Sequence, residues 1–504
     1  MLPLLLSISI AVPVTKVDLA FPPESFQSRT SDLGGQKVAY RASEGNIYVQ
    51  KPVDVKYQTI NIYAPEEYFS KGSVNGYTAE TAPIFLPNSI GGYMPGAASS
   101  PGSGMDRMNN TILRALKNGY VVACPGARGR TLKNEEGKFT GKAPAGIVDL
   151  KAAVRYLKFN GRTIPGREDR IVSNGTSAGG AMSALLGATG NSIDYAEYLS
   201  ALGAADATDD VWATSAYCPI TNLENADAAY EWLLAGVNKA KSFRPTGPRP
   251  GGANQNAAGA GPSAGQAGNP FGQPDSSAKI MTEDQIADSL ALKALFPAYV
   301  QSLKLRDQSG QMIELGPDGQ GSLKDYLAEM LLASAKTAQK KGIDVSKTSW
   351  LSLIEGVPAA IDWDGYVSTV GRMKVTSAFD SRELKTGENN LFGSETVDNR
   401  HFTSFGMQRS TVRGAEMTPA SIIKMMNPME YIGRSSASTA RLWRIRHGAN
   451  DRDTSIAIPA LLALKLQNSG CQVDFALPWN TAHSGDYDLD ELFAWIDSHA
   501  KASG

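Results

Sequence analysis

The sequence contains little cysteine, little histidine and no excess of either charge. Its three cysteines, Cys124, Cys218 and Cys471, lie far apart among 504 residues. They cannot all pair, and no CxxC or Cys/His cluster indicates a zinc site, so we interpret them as buried thiols. Lys and Arg number 49 against 50 Asp and Glu, a formal charge of −1. Because no basic stripe is present either, a nucleic-acid partner is not expected.

Long apolar runs are also absent from the interior of the sequence. No internal run reaches the roughly 18 residues that a membrane helix needs, so no membrane span is predicted. Residues 2–14 are apolar but lack a positively charged start and a clear cleavage site. We interpret residues 1–20 as a signal peptide or a disordered N-terminal segment. Secretion or a cell-envelope location is favoured slightly over the cytoplasm.

What is present is the pattern of a globular α/β protein. Short apolar strands alternate with amphipathic helices at both ends of the chain, which predicts a mainly parallel sheet with helices on both faces. The predicted strands are residues 55–63, 83–86, 120–124, 170–173, 442–445 and 473–477. The predicted helices are residues 112–117, 147–159, 456–466 and 489–496.

A different pattern interrupts this alternation. Residues 221–400 contain helical stretches, such as 286–295 and 323–338, and little strand signal. We predict that they form an inserted cap, or lid, between a first sheet part (21–220) and a second (401–504). Within the insertion, residues 244–274 are rich in Gly, Pro, Ala, Asn and Gln, which predicts a mobile loop. Near its end, Thr418 and Pro419 predict the cap and first position of a helix.

A nucleophile is indicated by G-x-S-x-G at residues 175–179. The motif follows a predicted strand and opens a stretch of small residues, which is the context of a strained strand–turn–helix that exposes its serine. Ser177 is therefore the predicted nucleophile, and the amide of Ala178 the first donor to an oxyanion. The Gly-Gly pair after the strand at 83–86 predicts the second donor, Gly92, with Gly91 as the alternative.

The order serine, acid, histidine restricts the choice of base and acid. His483 follows the last predicted strand and is the predicted base; the other histidines are His401, His447 and His499. The loop after the strand at 442–445 offers two carboxylates. Asp451 is favoured as the acid because it comes first, whereas Asp453 also fits the cap of the following helix. The order alone leaves both open.

Four motifs together resemble the bacterial tannases, tannin acyl hydrolases of the α/β-hydrolase superfamily. They are P-N-S-I-G-G-Y-M-P-G at 87–96, N-G-T-S-A-G-G at 174–180, R-H-G-A-N-D-R-D-T-S at 446–455 and H-S-G-D-Y-D-L at 483–489. The resemblance runs from about residue 46 to the end, apart from residues 244–274. It implies an α/β-hydrolase fold with a large, mostly helical lid.

The resemblance also implies the chemistry. The family cleaves galloyl esters and depsides with a triad that falls here on Ser177, Asp451 and His483. Its substrate-contacting residues fall on Asp453 and on two residues of the lid, Lys374 and Glu388. Carboxylates can accept hydrogen bonds from the hydroxyls of gallate, and an ammonium can donate to a phenol oxygen. No metal or cofactor is implied.

The expected substrates are thus small galloyl esters and plant tannins, cleaved through a galloyl-serine intermediate. The fungal tannase-like subgroup has a disulfide beside its serine and histidine; here those neighbours are Thr176 and Ala482, which excludes it. A feruloyl or chlorogenate-type esterase, a serine peptidase and a non-catalytic binding protein on the same scaffold are the alternatives. The preferred alcohol and the oligomeric state are left open.

Overall fold

The structure is a computed structural model that describes residues 16–103, 106, 109–240, 243–244, 273–274 and 279–502. Most of the predicted N-terminal segment and of the predicted loop at 244–274 lies outside these residues. The two ends of that loop are described, and they pair with each other as antiparallel strands. No helix within the described ranges combines the length and the apolar character needed to cross a membrane.

The strands and helices are numbered in chain order. The strands are β1 (Gln27–Leu33), β2 (Gln36–Ile47), β3 (Thr59–Pro65), β4 (Pro83–Pro87), β5 (Val121–Pro125), β6 (Arg167–Thr176), β7 (Ala213–Tyr217), β8 (Lys239–Ala240), β9 (Phe243–Arg244), β10 (Gln273–Pro274), β11 (Lys279–Ile280), β12 (Leu351–Ile354), β13 (Val357–Ile361), β14 (Leu442–Arg446) and β15 (Gln472–Ala476). The helices are α1 (Thr111–Lys117), α2 (Ala145–Phe159), α3 (Ala178–Ala188), α4 (Ala196–Leu202), α5 (Leu223–Leu234), α6 (Glu283–Leu303), α7 (Ser322–Lys340), α8 (Trp363–Val370), α9 (Gly387–Leu391), α10 (Ser404–Gln408), α11 (Ala420–Met425), α12 (Ala457–Asn468) and α13 (Leu489–Ala502).

A central sheet organises the described part of the chain. Its order is β1-β2-β3-β5-β4-β6-β7-β14-β15. The pairs from β1 to β5 are antiparallel, whereas those from β5 through β4, β6, β7 and β14 to β15 are parallel. Every residue of β5 and β7 is buried, so both faces of the sheet are covered there. This explains the unbroken apolar run of β5 and confirms the predicted fold class.

The lid is inserted between β7 and β14. Its helices α6 and α7 are longer than predicted, and α7 buries a stripe at helical spacing: Leu323, Leu327, Leu331, Ala335 and Ala338. The antiparallel hairpin of β12 and β13 was not predicted. The exact domain boundaries stay a prediction.

Two predicted boundaries are wrong. The strand predicted at 55–63 begins only at Thr59, because the amides of Tyr57 and Gln58 donate to the Asp54 carbonyl and form a turn. Thr418 does not cap a helix: its hydroxyl donates to the Phe392 carbonyl at 2.6 Å. Helix α11 begins one residue after Pro419.

Three strands of the sheet, β1, β2 and β7, were also missed. β7 has the sequence A-T-S-A-Y, which carries little apolar signal. It is a strand because β6 and β14 pair with it on either side.

Candidate active site

Ser177 lies at the junction of β6 and α3. Its φ of 62° and ψ of −123° form a sparsely populated conformation that costs roughly 1–3 kcal/mol in a non-glycine residue. Small neighbours allow this turn. A Cβ atom at Gly175 would lie 2.3 Å from the Gly179 carbonyl oxygen, and one at Gly179 would lie 2.7 Å from the Ile90 carbonyl oxygen. The motif therefore folds as predicted and places Ser177 in the wall of two pockets.

The first predicted oxyanion donor is the amide of Ala178. It belongs to the first residue of α3, and the first amides of a helix have no acceptor within the helix. The N-terminal end of a helix also favours negative charge. This amide can therefore receive charge that develops next to Ser177.

The second predicted donor, Gly92, lines one pocket together with Ser177. The amide of Met94 donates to the Gly91 carbonyl at 3.0 Å. The Gly91 carbonyl and the Gly92 N–H belong to the same trans peptide group and point in opposite directions. The bond to the Gly91 carbonyl therefore fixes the direction of the Gly92 amide. Arg130 Nε donates to the Gly92 carbonyl at 2.8 Å. Gly91, the alternative donor, lines the other pocket.

Asp451 and His483 lie on the loops that follow β14 and β15. These strands are parallel neighbours, so both loops leave the same edge of the sheet, and the amide of Asn450 donates to the Thr481 carbonyl at 2.9 Å. His483 Nδ1 lies 2.8 Å from Asp451 Oδ2, and the amide of Asp453 donates to Asp451 Oδ1 at 2.8 Å. The structure thus brings together the predicted acid and base beside the predicted nucleophile.

The Asp451 side chain is buried, the His483 side chain is 17% exposed, and the two groups interact strongly. Burial opposes the ionisation of Asp451, but the nearby His483 and His447 outweigh it and hold the pKa of Asp451 at about 2. Burial also opposes the charged form of His483, but the attraction of Asp451 raises the pKa of His483 well above its ordinary value. The carboxylate therefore stabilises the imidazolium that forms when His483 accepts a proton.

The other three histidines do not line the pockets at Ser177 as the structure describes them. His447 is buried, with Nδ1 3.6 Å from Asp451 Oδ2, and burial lowers its pKa. His401 Nδ1 lies 2.6 Å from the Asp380 carboxylate, and His499 Nδ1 lies 2.8 Å from the Trp495 carbonyl. Of the four, only His483 lines the pockets at Ser177 in the described part of the chain.

Three predicted substrate contacts converge in the pocket that also holds Gly92 and Ala178. Lys374, Glu388 and Asp453 line this cavity of about 420 Å³ together with Ser177 and His483. Lys374 Nζ lies 3.2 Å from Asp453 Oδ1. Burial raises the pKa of Glu388 against the opposing attraction of Lys374. The lid therefore contributes a cation and a carboxylate to a pocket whose other wall carries the predicted nucleophile. We call this cavity the acyl pocket.

Sequence reasoning missed the residues that hold Lys374 in place. Tyr230 of α5 accepts the amide of Lys374 at 3.3 Å and donates to the Arg452 carbonyl at 2.9 Å. Lys374 Nζ also lies 4.2 Å from the centre of the Phe379 ring. Asp227 accepts the amide of Phe379 at 3.0 Å. No local motif marks Tyr230 or Asp227, since their contacts span more than a hundred positions of sequence.

Cys218 was also missed as a neighbour of the site. Its Sγ donates to the Ser484 carbonyl at 3.4 Å and lies 3.9 Å from His483 Nε2. Cys218, Asp451 and His483 offer ligand atoms within 4.8 Å of one another. A metal ion bound there would compete with the contacts that orient His483, so this cluster fits the acid–base pair better than a cofactor site.

Comparisons with known proteins agree with this architecture. A family model described as BD-FAE matches residues 90–242. No curated protein matches the chain. Among solved structures, the chain is similar to a tannin acyl hydrolase from Lactobacillus plantarum, with 43% identity, a TM-score of 0.87, and coverage of 95% of this chain and 98% of the other.

Two further structures are similar over the same length. The tannase of Fusobacterium nucleatum is 47% identical, with a TM-score of 0.87 and coverage of 96% of this chain and 99% of the other. A tannin acyl hydrolase in complex with ethyl gallate is 43% identical, with the same TM-score and the same coverage. These similarities confirm the resemblance that the four motifs predict.

Proposed function

The chain belongs to the tannase family of carboxylic ester hydrolases, and on that premise we propose that it hydrolyses galloyl ester and depside bonds and releases gallic acid. The observation that carries this proposal is the convergence of Lys374, Glu388 and Asp453 in one pocket with Ser177 and His483. One relative was solved with ethyl gallate and another with 3,4-dihydroxybenzoate, two small molecules whose acyl groups share a hydroxylated ring.

The proposed reaction is acyl transfer through Ser177. His483 accepts the Ser177 proton as Oγ attacks the galloyl carbonyl, and the amides of Ala178 and Gly92 hold the tetrahedral oxyanion. His483 then gives this proton to the alcohol oxygen as the ester C–O bond breaks. Water then takes the place of the alcohol: His483 accepts a proton from water as its oxygen attacks the galloyl carbonyl, and Ser177 Oγ leaves with that proton as gallic acid is released. Asp451 keeps the imidazole oriented throughout.

The charged groups of the acyl pocket explain a preference for gallate. Three adjacent hydroxyls on one ring edge present donors to Glu388 and Asp453 and an acceptor to Lys374. A ring without hydroxyls covers these groups without bonding to them, so that the ion pair of Lys374 with Asp453 is their remaining contact with opposite charge. A site built to bind hydroxyls rejects such an analogue by as much as roughly 10⁴-fold in kcat/KM.

The test is to measure kcat/KM for methyl gallate, methyl protocatechuate and methyl benzoate with the purified protein. We expect the rates to fall in that order, with methyl ferulate below methyl gallate. Equal rates for methyl gallate and methyl benzoate contradict the galloyl assignment, and a faster methyl ferulate favours the feruloyl esterase alternative. Labelling of Ser177 by a fluorophosphonate, located by mass spectrometry, separates an esterase from a non-catalytic binding protein.

A further inference from the structure

A second pocket of about 410 Å³ meets the acyl pocket at the predicted catalytic residues. Of the described lining residues, the two pockets share only Ser177 and His483. The wall of the second pocket comes from the loop after β4, the start of α1, the end of β6 and residues 483–486. Its volume lies within the range of roughly 300–1,000 Å³ that small-molecule sites occupy.

One buried polar atom in the wall of the second pocket has no hydrogen-bond partner in the described part of the chain. Asn174 is 1% exposed, and its Nδ2 donates to Asp486 Oδ1 at 2.9 Å. Because an ionised carboxylate only accepts hydrogen bonds, this contact fixes which end of the amide faces Asp486. Asn174 Oδ1 is left without a hydrogen bond among the described residues. An unpaired buried acceptor is costly, and a hydroxyl of a molecule bound in this pocket is a donor that would satisfy it.

The electrostatics of the second pocket disfavour an anion. Two carboxyl groups, Asp106 and Asp486, line it, whereas no Lys or Arg does among the described lining residues. Asp486 accepts the Thr111 hydroxyl at 2.9 Å, and Asp106 accepts the Ile112 amide at 2.8 Å. The pocket therefore offers acceptors and repels anions, and the wall between them is largely carbon.

We propose that the second pocket binds the alcohol part of the ester, and that Asn174 Oδ1 accepts a hydrogen bond from one of its hydroxyls. The chemical class is a neutral, ring-sized alcohol that carries hydroxyls, either a sugar or a second phenolic ring. This inference rests on the proposed function. With the acyl group beside Lys374, the departing oxygen leaves on the other side of the tetrahedral carbon. His483 lines both pockets and can protonate it there.

The test compares gallate esters that differ only in the alcohol. All of them form the same galloyl-enzyme, so differences in kcat/KM report on the acylation step. For the wild-type protein we expect 3,4-dihydroxybenzyl gallate to exceed benzyl gallate by about tenfold, the effect of one hydrogen bond to a buried acceptor. 4-Carboxybenzyl gallate, an anion, should be slower than benzyl gallate. Equal kcat/KM for all three benzyl esters overturns the proposal.

A variant that fills the second pocket gives an independent test. Ser99 lines it and is half-buried. In Ser99→Phe the ratio of kcat/KM for dihydroxybenzyl gallate to that for methyl gallate should fall at least about tenfold. In Ser498→Phe, an exposed position on α13 outside both pockets, the ratio should not change. Thermal unfolding shows whether Ser99→Phe folds. If it does not fold, the comparison of the three benzyl esters with the wild-type protein tests the proposal by itself.

Three further outcomes are informative. Including 1-O-galloylglucose distinguishes the sources of the alcohol: a larger loss in Ser99→Phe for the sugar ester assigns the pocket to sugars, and a larger loss for the phenolic ester assigns it to aromatic rings. An unchanged ratio in a folded Ser99→Phe contradicts the proposal. If the wild-type protein does not hydrolyse methyl gallate at all, the proposed function fails, and this result is separate from a failure of the pocket alone.

Discussion

Replacing Asp451 by Asn should nearly abolish hydrolysis without changing the shape of the site. The two side chains are the same size, but the contacts of Asp451 dictate how the new amide must lie. Oδ1 accepts the amide of Asp453, and Oδ2 faces His483 Nδ1. In Asp451→Asn the amide oxygen must stay on the Asp453 amide, so the new NH₂ group faces Nδ1. His483 then carries its proton on Nε2 and cannot accept one from Ser177.

The size of this effect follows from the groups that would have to be left unpaired. For His483 to carry its proton on Nδ1 again, the new side-chain amide in Asp451→Asn must turn. Its oxygen then faces His483 Nδ1, and its NH₂ group faces the backbone amide of Asp453. That leaves two buried donors unsatisfied, at roughly 1–3 kcal/mol each, which alone lowers the rate by about 30-fold to 10⁴-fold. The loss of the negative charge that stabilises the imidazolium adds to it. We expect kcat to fall by about 10⁴-fold in total.

The assay is hydrolysis of methyl gallate and of p-nitrophenyl acetate across pH, with Asp453→Asn as the matched control. Asp451→Asn should depress both substrates. Because the Asp451 charge raises the pKa of His483, its removal lowers that pKa and moves the acid limb of kcat/KM to lower pH. Asp453→Asn loses the ion pair with Lys374. In this variant kcat/KM for methyl gallate should fall by roughly 10- to 100-fold.

Hydrolysis of p-nitrophenyl acetate should change little in Asp453→Asn, since that ester has no hydroxylated ring. The reverse pattern, with Asp453→Asn inactive on both substrates and Asp451→Asn active, refutes the assignment of the two aspartates. An unshifted acid limb in Asp451→Asn refutes the electrostatic part of the reasoning.

Four other variants have definite expected outcomes. Ser177→Ala should lower kcat by about 10⁴-fold or more at an unchanged melting temperature, and near wild-type turnover would exclude Ser177 as the nucleophile. Glu388→Ala and Lys374→Ala should each lower kcat/KM more for methyl gallate than for p-nitrophenyl acetate; an equal loss on both esters would remove them from galloyl recognition. Replacing residues 245–272 by a short turn should leave methyl gallate turnover within about threefold. The flanking strands β9 and β10 are paired with each other, and the composition of residues 245–272 offers few side chains that could form a core. Loss of folding in that variant would show that these residues pack.

The sequence alone determined much of the sheet and the candidates for the site. A parallel strand buried on both faces needs a continuous apolar run, and β4 and β5 show one. The strained turn at Ser177 needs its glycines, so the motif is visible locally. The position of His483 follows from the order of the strands, because loops after parallel strands share one edge.

Only the tertiary structure decided how distant residues meet. β7 lacks a strong strand pattern, and it is ordered by the partners on both sides. Without the family resemblance, nothing in the sequence distinguishes Lys374 and Glu388 from other charged residues. The fold of the lid brings them into the pocket that Ser177 also lines. All three cysteines were expected to be buried thiols; Cys124 and Cys218 are buried, whereas Cys471 is only half-buried. The contact of Cys218 with His483 depends on how the loops after β7 and β15 pack, and β14 separates these two strands in the sheet. No local pattern of residues encodes such a packing.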